Sequence, residues 1–256
     1  LSGTTNTVAI SSVSEDLSDP KAMGMAGVGK TTMAALVARH SDVRRFFKDG
    51  IAWVHVGKEE LDYKRYTQCL RELVAQLVFY DGDPLFAELL HTPGEPSSKR
   101  KRREEGFMIY ARDTVTDLLQ MRNVLVILDD IYYEQDLEWF HFIPQVPQKS
   151  RLSKKKEEAF SSSLLVTTKM RDLLPAADTV EIDLLEETDA IKLLVTESGQ
   201  SSDHVMASSK EARQVVRECA NHPLAVKSVG RWLSLKHATA GVISSVEEIH
   251  EDVVKS

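Results

Sequence analysis

One glycine-rich segment constrains the fold of this chain more than any other feature. Residues 24–31 read Gly-Met-Ala-Gly-Val-Gly-Lys-Thr, which fits the pattern G-x-x-x-x-G-K-[ST] at every fixed position. Glycines in such a loop let backbone N–H groups curl around an anion without Cβ clashes. The lysine of the pattern, Lys30, reaches the terminal phosphates of a nucleotide, and the hydroxyl of Thr31 can bind Mg²⁺. The segment therefore predicts a phosphate-binding loop.

The sequence on either side of the loop agrees with this interpretation. Residues 21–25 form a short extended stretch, which predicts a strand leading into the loop. An amphipathic helical pattern follows over residues 31–40, with Met33, Leu36 and Val37 at helical spacing. A phosphate-binding loop needs the order strand, glycine loop and helix. The alternative, a glycine-rich turn followed by a chance Lys-Thr pair, does not require that order.

Composition excludes some classes of protein. The chain has 256 residues, which leaves room for one large α/β domain and a small additional one. Its net charge of −7 argues against a dedicated nucleic-acid binder. The two cysteines lie in apolar settings, which favours reduced, buried thiols in a cytosolic or nuclear protein. We expect no membrane span and see no signal peptide. The chain opens at Leu1 and not at Met, which leaves open whether it is a fragment.

Strand and helix patterns alternate over most of the chain. The run 123–128 is apolar throughout, which is typical of a central parallel strand that is covered on both faces. Helical patterns over residues 61–80 and 107–122 separate the strand candidates. These features predict a three-layer α/β fold with a parallel, roughly five-stranded sheet. The strand candidates are residues 22–25, 51–56, 123–128, 164–167 and 179–183.

The strand patterns stop after residue 185, and only helical patterns follow. They cover residues 186–197, 208–220, 223–236 and 246–254. We therefore expect three parts in the chain. Residues 1–19 are a lead-in segment, residues 20–185 a nucleotide-binding domain, and residues 186–256 a helical subdomain.

Two polar inserts interrupt the α/β pattern, at residues 93–105 and 148–163. The first contains the basic run Lys99–Arg103 and the second contains three consecutive lysines, 154–156. Such runs serve as nuclear signals or anion contacts in some proteins. A solvated, disordered surface loop is the alternative, and we prefer it.

Two aspartates end the apolar run, and carboxylates at the end of a central parallel strand lie beside the phosphate loop in this architecture. Asp129 is a candidate Mg²⁺ ligand, because Mg²⁺ prefers a few carboxylates together with phosphate oxygens. Asp130 is a candidate to orient or deprotonate an attacking water. A role in a turn or at a helix N-terminus explains Asp130 equally well.

Two further positions carry open alternatives. Lys169 follows the strand candidate 164–167, where a cation could read the γ-phosphate of a nucleotide, or could be a surface residue. Pro223 follows Asn221 and His222 between two helical patterns. Its functional interpretation is an apolar contact with a purine base, and its simpler interpretation is the first position of a helix.

Six segments, in order, resemble the NB-ARC domain of STAND-class signalling ATPases, which occur in plant disease-resistance proteins and apoptosome-forming regulators. The similarity covers about residues 20–235. The segments match the family's phosphate loop, second strand, Walker B motif, sensor strand, entry to the helical subdomain and Gly-Leu-Pro-Leu-Ala turn. They are residues 24–32, 46–56, 125–132, 165–169, 180–194 and 221–225.

The resemblance implies a P-loop NTPase that binds ATP or ADP with Mg²⁺ and works as a switch with slow hydrolysis. It implies that Thr31 and Asp129 hold Mg²⁺, that Asp130 and Lys169 serve catalysis and γ-phosphate sensing, and that Pro223 contacts the adenine. The residues implied to bind the nucleotide phosphates are Gly24, Ala26, Gly27, Val28, Gly29, Lys30, Thr31 and Thr32.

The chain departs from the family pattern at three places. The sensor arginine is replaced by Lys169, which keeps the charge and loses the bidentate fork. Asn221 and His222 replace the Gly-Leu of the last motif. No winged-helix subdomain follows within the 256 residues, so the resemblance leaves open whether this chain can be switched off.

We expect an adenine nucleotide as ligand and protein partners that act through flanking domains, with nucleotide-dependent self-association. We expect neither a membrane nor a nucleic acid as a partner, and a cytoplasmic or nuclear location. Two rival functions remain open at this point. One is an efficient ATPase or phosphotransferase, and the other is a nucleotide-binding scaffold that does not hydrolyse.

Overall fold

A five-stranded sheet organises most of the chain. The computed structural model describes residues 6–12, 24–59, 61–77, 100–120, 122–143, 162–170, 177–199 and 210–240. The strands have the spatial order β2-β3-β4-β1-β5, and the pairs β2–β3, β3–β4 and β1–β4 run parallel. This architecture confirms the predicted three-layer P-loop NTPase class. The strands are β1 (Thr7–Ser12), β2 (Gly50–His55), β3 (Val124–Ile131), β4 (Ser163–Thr168) and β5 (Asp178–Ile182).

Eight helices lie within the described residues. Five precede the last strand and three follow it. They are α1 (Lys30–Arg39), α2 (Ser41–Phe46), α3 (Tyr63–Gln76), α4 (Arg100–Gln120), α5 (Glu134–Trp139), α6 (Glu187–Glu197), α7 (Lys210–Glu218) and α8 (Pro223–Ala240). The described helices include none that is long and apolar enough to cross a membrane. The predicted helix over residues 246–254 falls outside the described ranges, as do residues 148–161 of the insert predicted at 148–163.

The apolar run of β3 lies at the centre of the core. Each residue from Val124 to Leu128 is at most 4% exposed, because β2 and β4 flank the strand and helices cover both faces of the sheet. Aromatic side chains from α3 and the region of α5 complete this core, with Tyr66 and Phe140 in edge-to-face contact at 5.5 Å between ring centroids. The Tyr66 hydroxyl donates a hydrogen bond to the Trp139 carbonyl, which satisfies the buried polar end of the ring.

The strand that precedes the phosphate loop is not the one we predicted. Gly24 and Met25 lie outside any strand, and residues 22–23 are outside the described ranges. The sheet instead uses β1, in the middle of the predicted lead-in segment, and pairs it with β4 from Thr7–Leu164 to Ile10–Thr167. Residues 8–10 form a short apolar patch, which is a weak strand signal because two serines follow it. Both Ser11 and Ser12 are nevertheless buried.

Two helix predictions also need correction. The predicted apolar stripe of α1 is not its buried face, since Met33 is 40% and Leu36 57% exposed while Ala34 is fully buried. The small side chain lets α1 approach the sheet closely. Helix α4 begins at Arg100, so part of the basic run Lys99–Arg103 is helical and not loop. Arginine, lysine and glutamate are good helix formers, which allows the helix to extend beyond its apolar stripe.

The side chain of Gln76 closes one edge of the sheet. β2 is an edge strand, and an edge strand exposes unpaired backbone groups that invite aggregation. The Gln76 amide accepts a hydrogen bond from the Trp53 N–H at 2.8 Å and donates one to the Trp53 carbonyl at 2.6 Å. One side chain from α3 therefore imitates a neighbouring strand at the middle of β2.

The chain divides into two compact units. The first comprises residues 1–24 and 30–181, and the second comprises residues 25–29 and 182–256. The second unit has its own apolar core, formed by α6, α7 and α8. The buried residues of that core are Ala190, Ile191, Leu194, Val195, Ala212, Val215, Val216, Val226 and Leu233.

Helices α6 and α8 pack closely at Gly230. A Cβ atom at Gly230 would lie 2.8 Å from the Glu197 Cβ and 3.0 Å from the Leu194 carbonyl oxygen. We predict that Gly230→Ala lowers the free energy of unfolding of this unit by about 1–3 kcal/mol, because overpacking outweighs the gain in helix propensity. Urea unfolding monitored by circular dichroism measures the change.

Gly106 in α4 is the matched control for this substitution. A Cβ atom there would meet no atom within 4 Å, so Gly106→Ala should stabilise by about 0.5–1 kcal/mol. Stabilisation by both alanines would contradict the close contact at Gly230.

Candidate nucleotide-binding site

The loop begins wedged between the ends of two strands. The Gly24 N–H donates a hydrogen bond to the Lys169 carbonyl at 2.6 Å, just beyond β4. A Cβ atom at Gly24 would overlap the Ser12 hydroxyl and lie 2.6 Å from the Ser12 carbonyl oxygen, at the end of β1. Only glycine fits this position, so the loop leaves the sheet at the carboxyl ends of β1 and β4.

The middle of the loop uses glycine for its conformation as well as for space. Gly27 and Gly29 have φ values of 78° and 110°, in the left-handed region that L side chains rarely adopt. Ala26 and Gly27 are exposed, whereas Val28 is buried. The buried valine anchors the loop while its tip remains accessible.

Residues 25–29 belong to the second unit, and His222 of that unit contacts them. The His222 Nε2 lies 2.8 Å from the Ala26 carbonyl oxygen, and the His222 Nδ1 lies 3.4 Å from the Ala225 N–H. Because Nδ1 accepts from the N–H, Nε2 carries the proton and donates to Ala26. Sequence reasoning did not predict this role for His222.

Lys30 begins α1 with a buried side chain. It is 8% exposed, and its Nζ donates a hydrogen bond to the Ser12 hydroxyl at 3.2 Å. Burial lowers the pKa of Lys30, the positive charge of Lys169 lowers it further, and the negative charge of Asp130 opposes both effects. A buried cation beside a second cation favours a bound anion, since an anion would stabilise both charges.

The predicted metal-binding pair is in direct contact. The Thr31 hydroxyl donates to the Asp129 Oδ1 at 2.9 Å, although the two residues are 98 positions apart in the chain. Two residues that sequence reasoning missed also contact this carboxylate. The Thr167 hydroxyl donates to Oδ1 at 2.6 Å, and the His55 Nδ1 lies 3.4 Å from Oδ2.

Asp130 has an unusual backbone conformation. Its φ of 64° is left-handed, and the register of β3 against β4 shifts between Leu128 and Ile131. Such β-bulges re-aim side chains and occur often beside active sites. The alternative N-cap role does not apply, because Tyr133 is the N-cap residue of α5 and Asp130 lies within β3.

The side chain of Lys169 is half-buried and paired with an aromatic residue. Its Nζ donates a hydrogen bond to the Tyr132 hydroxyl at 2.6 Å. Lys58 lies over the same ring, with its Nζ 5.5 Å from the ring centroid. The structure therefore places Lys169 near Lys30 and Tyr132 at the carboxyl end of the sheet.

Pro223 is the first residue of α8, as its simpler interpretation predicts. Ala220 and Asn221 precede it with φ values of 49° and 55°. The Asn221 N–H donates to the Val216 carbonyl at 2.9 Å, which closes the end of the preceding helical segment. Two consecutive left-handed residues thus turn the chain sharply into α8.

The oxygen ligands at the sheet edge suit Mg²⁺. Thr31 supplies a hydroxyl oxygen and Asp129 a carboxylate, and Mg²⁺ is usually bound by one or two such groups together with water and substrate phosphates. No group of three or more His, Cys, Asp or Glu side chains able to hold a metal occurs among the residues that the structure describes. The hydroxyl of Thr31 and the carboxylate of Asp129 fit a Mg²⁺ ion that shares its coordination with a phosphate.

Comparison with known proteins gives curated relatives from plants. The chain is 28% identical over 233 residues to the disease resistance protein RPP8 of Arabidopsis thaliana, which covers 84% of the chain and 21% of that protein. It is 27% identical over 233 residues to the disease resistance protein RPH8A of the same plant, with 84% of the chain and 20% of that protein covered. The chain spans about one fifth of the length of the curated relatives it matches.

A solved structure supports the fold alone. The structure of the Drosophila origin recognition complex bound to DNA matches with a TM-score of 0.53 at 14% sequence identity, and the match covers 98% of this chain and 54% of that one. The family model described as the NB-ARC domain matches residues 21–204, which is more than half of the chain. The chain belongs to the NB-ARC family.

Proposed function

We propose that this chain binds ADP and ATP at residues 24–31 and acts as a nucleotide-dependent switch within a larger signalling protein. The observation that supports this most directly is the hydrogen bond between Thr31 and Asp129. It joins the end of the phosphate loop to the carboxylate of β3, and this pair is the one that Mg²⁺-dependent phosphate binding requires. Family membership independently implies nucleotide binding.

We assign each residue one role in this switch. Lys30 and the N–H groups of the loop bind the phosphates, and Thr31 and Asp129 hold Mg²⁺. When bound, Mg²⁺ neutralises charge on the β- and γ-phosphates. Lys169 contacts the γ-phosphate, and Pro223 contacts the adenine base. The burial of Lys30 and its proximity to Lys169 support the two phosphate assignments.

Slow hydrolysis resets the switch in this proposal. Asp130 orients the attacking water and accepts its proton, and its negative charge near Lys30 supports a position close to the phosphates. ADP occupies the resting state and ATP the active state, as the family resemblance implies. The hydrolysis rate and the signal are properties of the whole protein. This chain covers only about one fifth of the length of its curated relatives.

The names of the curated relatives support a proposal for the biological role of the chain. RPP8 and RPH8A are named disease resistance proteins, so we propose a role in a defence response. Protein partners act through segments outside this chain, with self-association in the ATP state. We propose a cytoplasmic location, in which Cys69 and Cys219 stay reduced; burial raises the pKa of Cys69 to about 11, which makes it unreactive.

Replacing Lys30 tests nucleotide binding. We predict that Lys30→Ala weakens ADP binding by about 10–100-fold, because each hydrogen bond to a charged group contributes about 1.5–3 kcal/mol. Isothermal titration calorimetry with ADP and Mg²⁺ measures the affinity. Lys192→Ala is the matched control, since it removes an exposed lysine paired with Asp189 in α6. Equal ADP affinities of wild type and Lys30→Ala would contradict the assignment of residues 24–31 as a phosphate-binding loop.

Replacing Asp130 tests hydrolysis. We predict that Asp130→Asn slows single-turnover ATP hydrolysis by about 10²–10⁴-fold while ATP binding changes little, because the amide cannot accept a proton. Quenched-flow measurement of phosphate release gives the rate, with Asp189→Asn in α6 as the charge-matched control. An unchanged rate would return Asp130 to a structural role.

Replacing Lys169 tests γ-phosphate sensing. We predict that Lys169→Ala lowers the preference for ATP over ADP by about tenfold, since Lys169 contacts only the phosphate that ADP lacks. Tyr132→Phe is the control, because it removes the hydrogen-bond partner of Lys169 and keeps the charge. A parallel loss of ATP and ADP affinity in Lys169→Ala would contradict the assignment.

A further inference from the structure

We propose that Thr167 is a positioning residue that fixes both aspartates of β3 for Mg²⁺-dependent nucleotide binding. This inference rests on the proposed function, which it deepens by naming the residue that orients the metal ligand. Sequence reasoning assigned no role to Thr167. Thr167 lies in β4 and is 1% exposed. Its hydroxyl forms hydrogen bonds with the two aspartates of β3.

The β-bulge places both aspartates opposite one residue. Leu128 pairs with Val166, and Ile131 pairs with Thr168. Two residues of β3 between these pairs, Asp129 and Asp130, therefore face the single residue Thr167. The backbone of β4 has too few groups to pair with both, so a side chain has to supply what the ladder lacks.

The hydroxyl of Thr167 acts both as a hydrogen-bond donor and as a hydrogen-bond acceptor at this bulge. The hydroxyl donates to the Asp129 Oδ1 at 2.6 Å and accepts from the Asp130 N–H at 2.9 Å. A hydroxyl has one proton, so its single donor is committed to the carboxylate. The short distance is typical of a hydrogen bond to a charged acceptor.

These two bonds fix different properties of the aspartates. The bond to Asp129 sets the rotation of the carboxylate and occupies Oδ1, the same oxygen that Thr31 contacts at 2.9 Å. The bond from Asp130 holds its backbone in the left-handed conformation at φ 64°, which a non-glycine residue otherwise avoids. One buried side chain therefore bonds both to the carboxylate of Asp129 and to the backbone of Asp130.

The neighbouring Thr168 provides a matched control. It is also 1% exposed in β4, and its hydroxyl likewise uses one donor and one acceptor, to the Ile131 carbonyl at 2.9 Å and from the Met170 N–H at 3.0 Å. Thr168 bonds to neither aspartate in these contacts. Thr168→Val should therefore disturb folding about as much as Thr167→Val without affecting the metal ligand.

The experiment compares ADP binding by wild type, Thr167→Val, Thr167→Ser and Thr168→Val, each as the full chain, with Mg²⁺ and with EDTA. We expect Thr167→Val to lose about 10–100-fold of the affinity that Mg²⁺ adds, since removing a partner of a metal ligand typically has this effect. Its affinity in EDTA should match wild type. Thr167→Ser should restore the Mg²⁺ dependence, because serine keeps the hydroxyl, and Thr168→Val should behave as wild type.

Hydrogen exchange of the Asp130 N–H tests the geometry without any nucleotide. We expect faster exchange in Thr167→Val than in wild type and Thr168→Val, because only the first variant removes the acceptor of that N–H. Should Thr167→Val not fold, Thr167→Cys replaces it. Its thiol is a weaker hydrogen-bond partner, so an intermediate Mg²⁺ dependence supports the proposal and a wild-type dependence overturns it.

The outcomes separate this inference from the function on which it rests. Equal Mg²⁺ dependence in Thr167→Val and Thr168→Val would overturn the positioning role while nucleotide binding stands. If wild type binds no ADP either with Mg²⁺ or with EDTA, the proposed nucleotide function is wrong. The metal-positioning role of Thr167 is then wrong as well. Unchanged exchange of the Asp130 N–H in Thr167→Val would overturn the positioning of the second aspartate.

Discussion

The candidate site depends on the carboxylate of Asp129, which is almost completely buried at 4% exposure. A buried carboxylate is costly unless donors satisfy it. The hydroxyls of Thr31 and Thr167 supply two donors, from α1 and β4. These bonds hold three elements of distant sequence together at one end of the sheet. The placement of α1 against β3 and β4 follows from this arrangement.

Two positively charged side chains, Lys30 and Lys169, lie close together at the same end of the sheet. Lys30 is buried, and both its burial and the nearby charge of Lys169 lower its pKa. Asp130 opposes these effects only in part. A lysine whose pKa is lowered by burial and by a second cation is typical of a site that binds an anion. The electrostatics and the hydrogen bonds thus favour the same chemistry, a phosphate with Mg²⁺.

The departures from the family pattern have physical consequences in this chain. Lys169, where the family has arginine, carries a single ammonium group and directs it to the Tyr132 hydroxyl. Asn221 takes the place of a glycine and has a φ of 55°, which asparagine tolerates better than most residues. His222 takes the place of a leucine and donates a hydrogen bond to the Ala26 carbonyl. Sequence comparison identifies such replacements, but only the structure shows what their side chains contact.

The sequence by itself determined the fold class, the last four strands and the pairing of Thr31 with Asp129. An apolar run such as residues 124–128 can be stable only when buried on both faces, and the loop pattern of residues 24–31 has few alternative uses. The tertiary structure alone decided that β1 is the strand at residues 7–12, and that Thr167 contacts both aspartates. These features depend on strand register and on a β-bulge. Both are set by packing between segments far apart in the chain, which local periodicity does not encode.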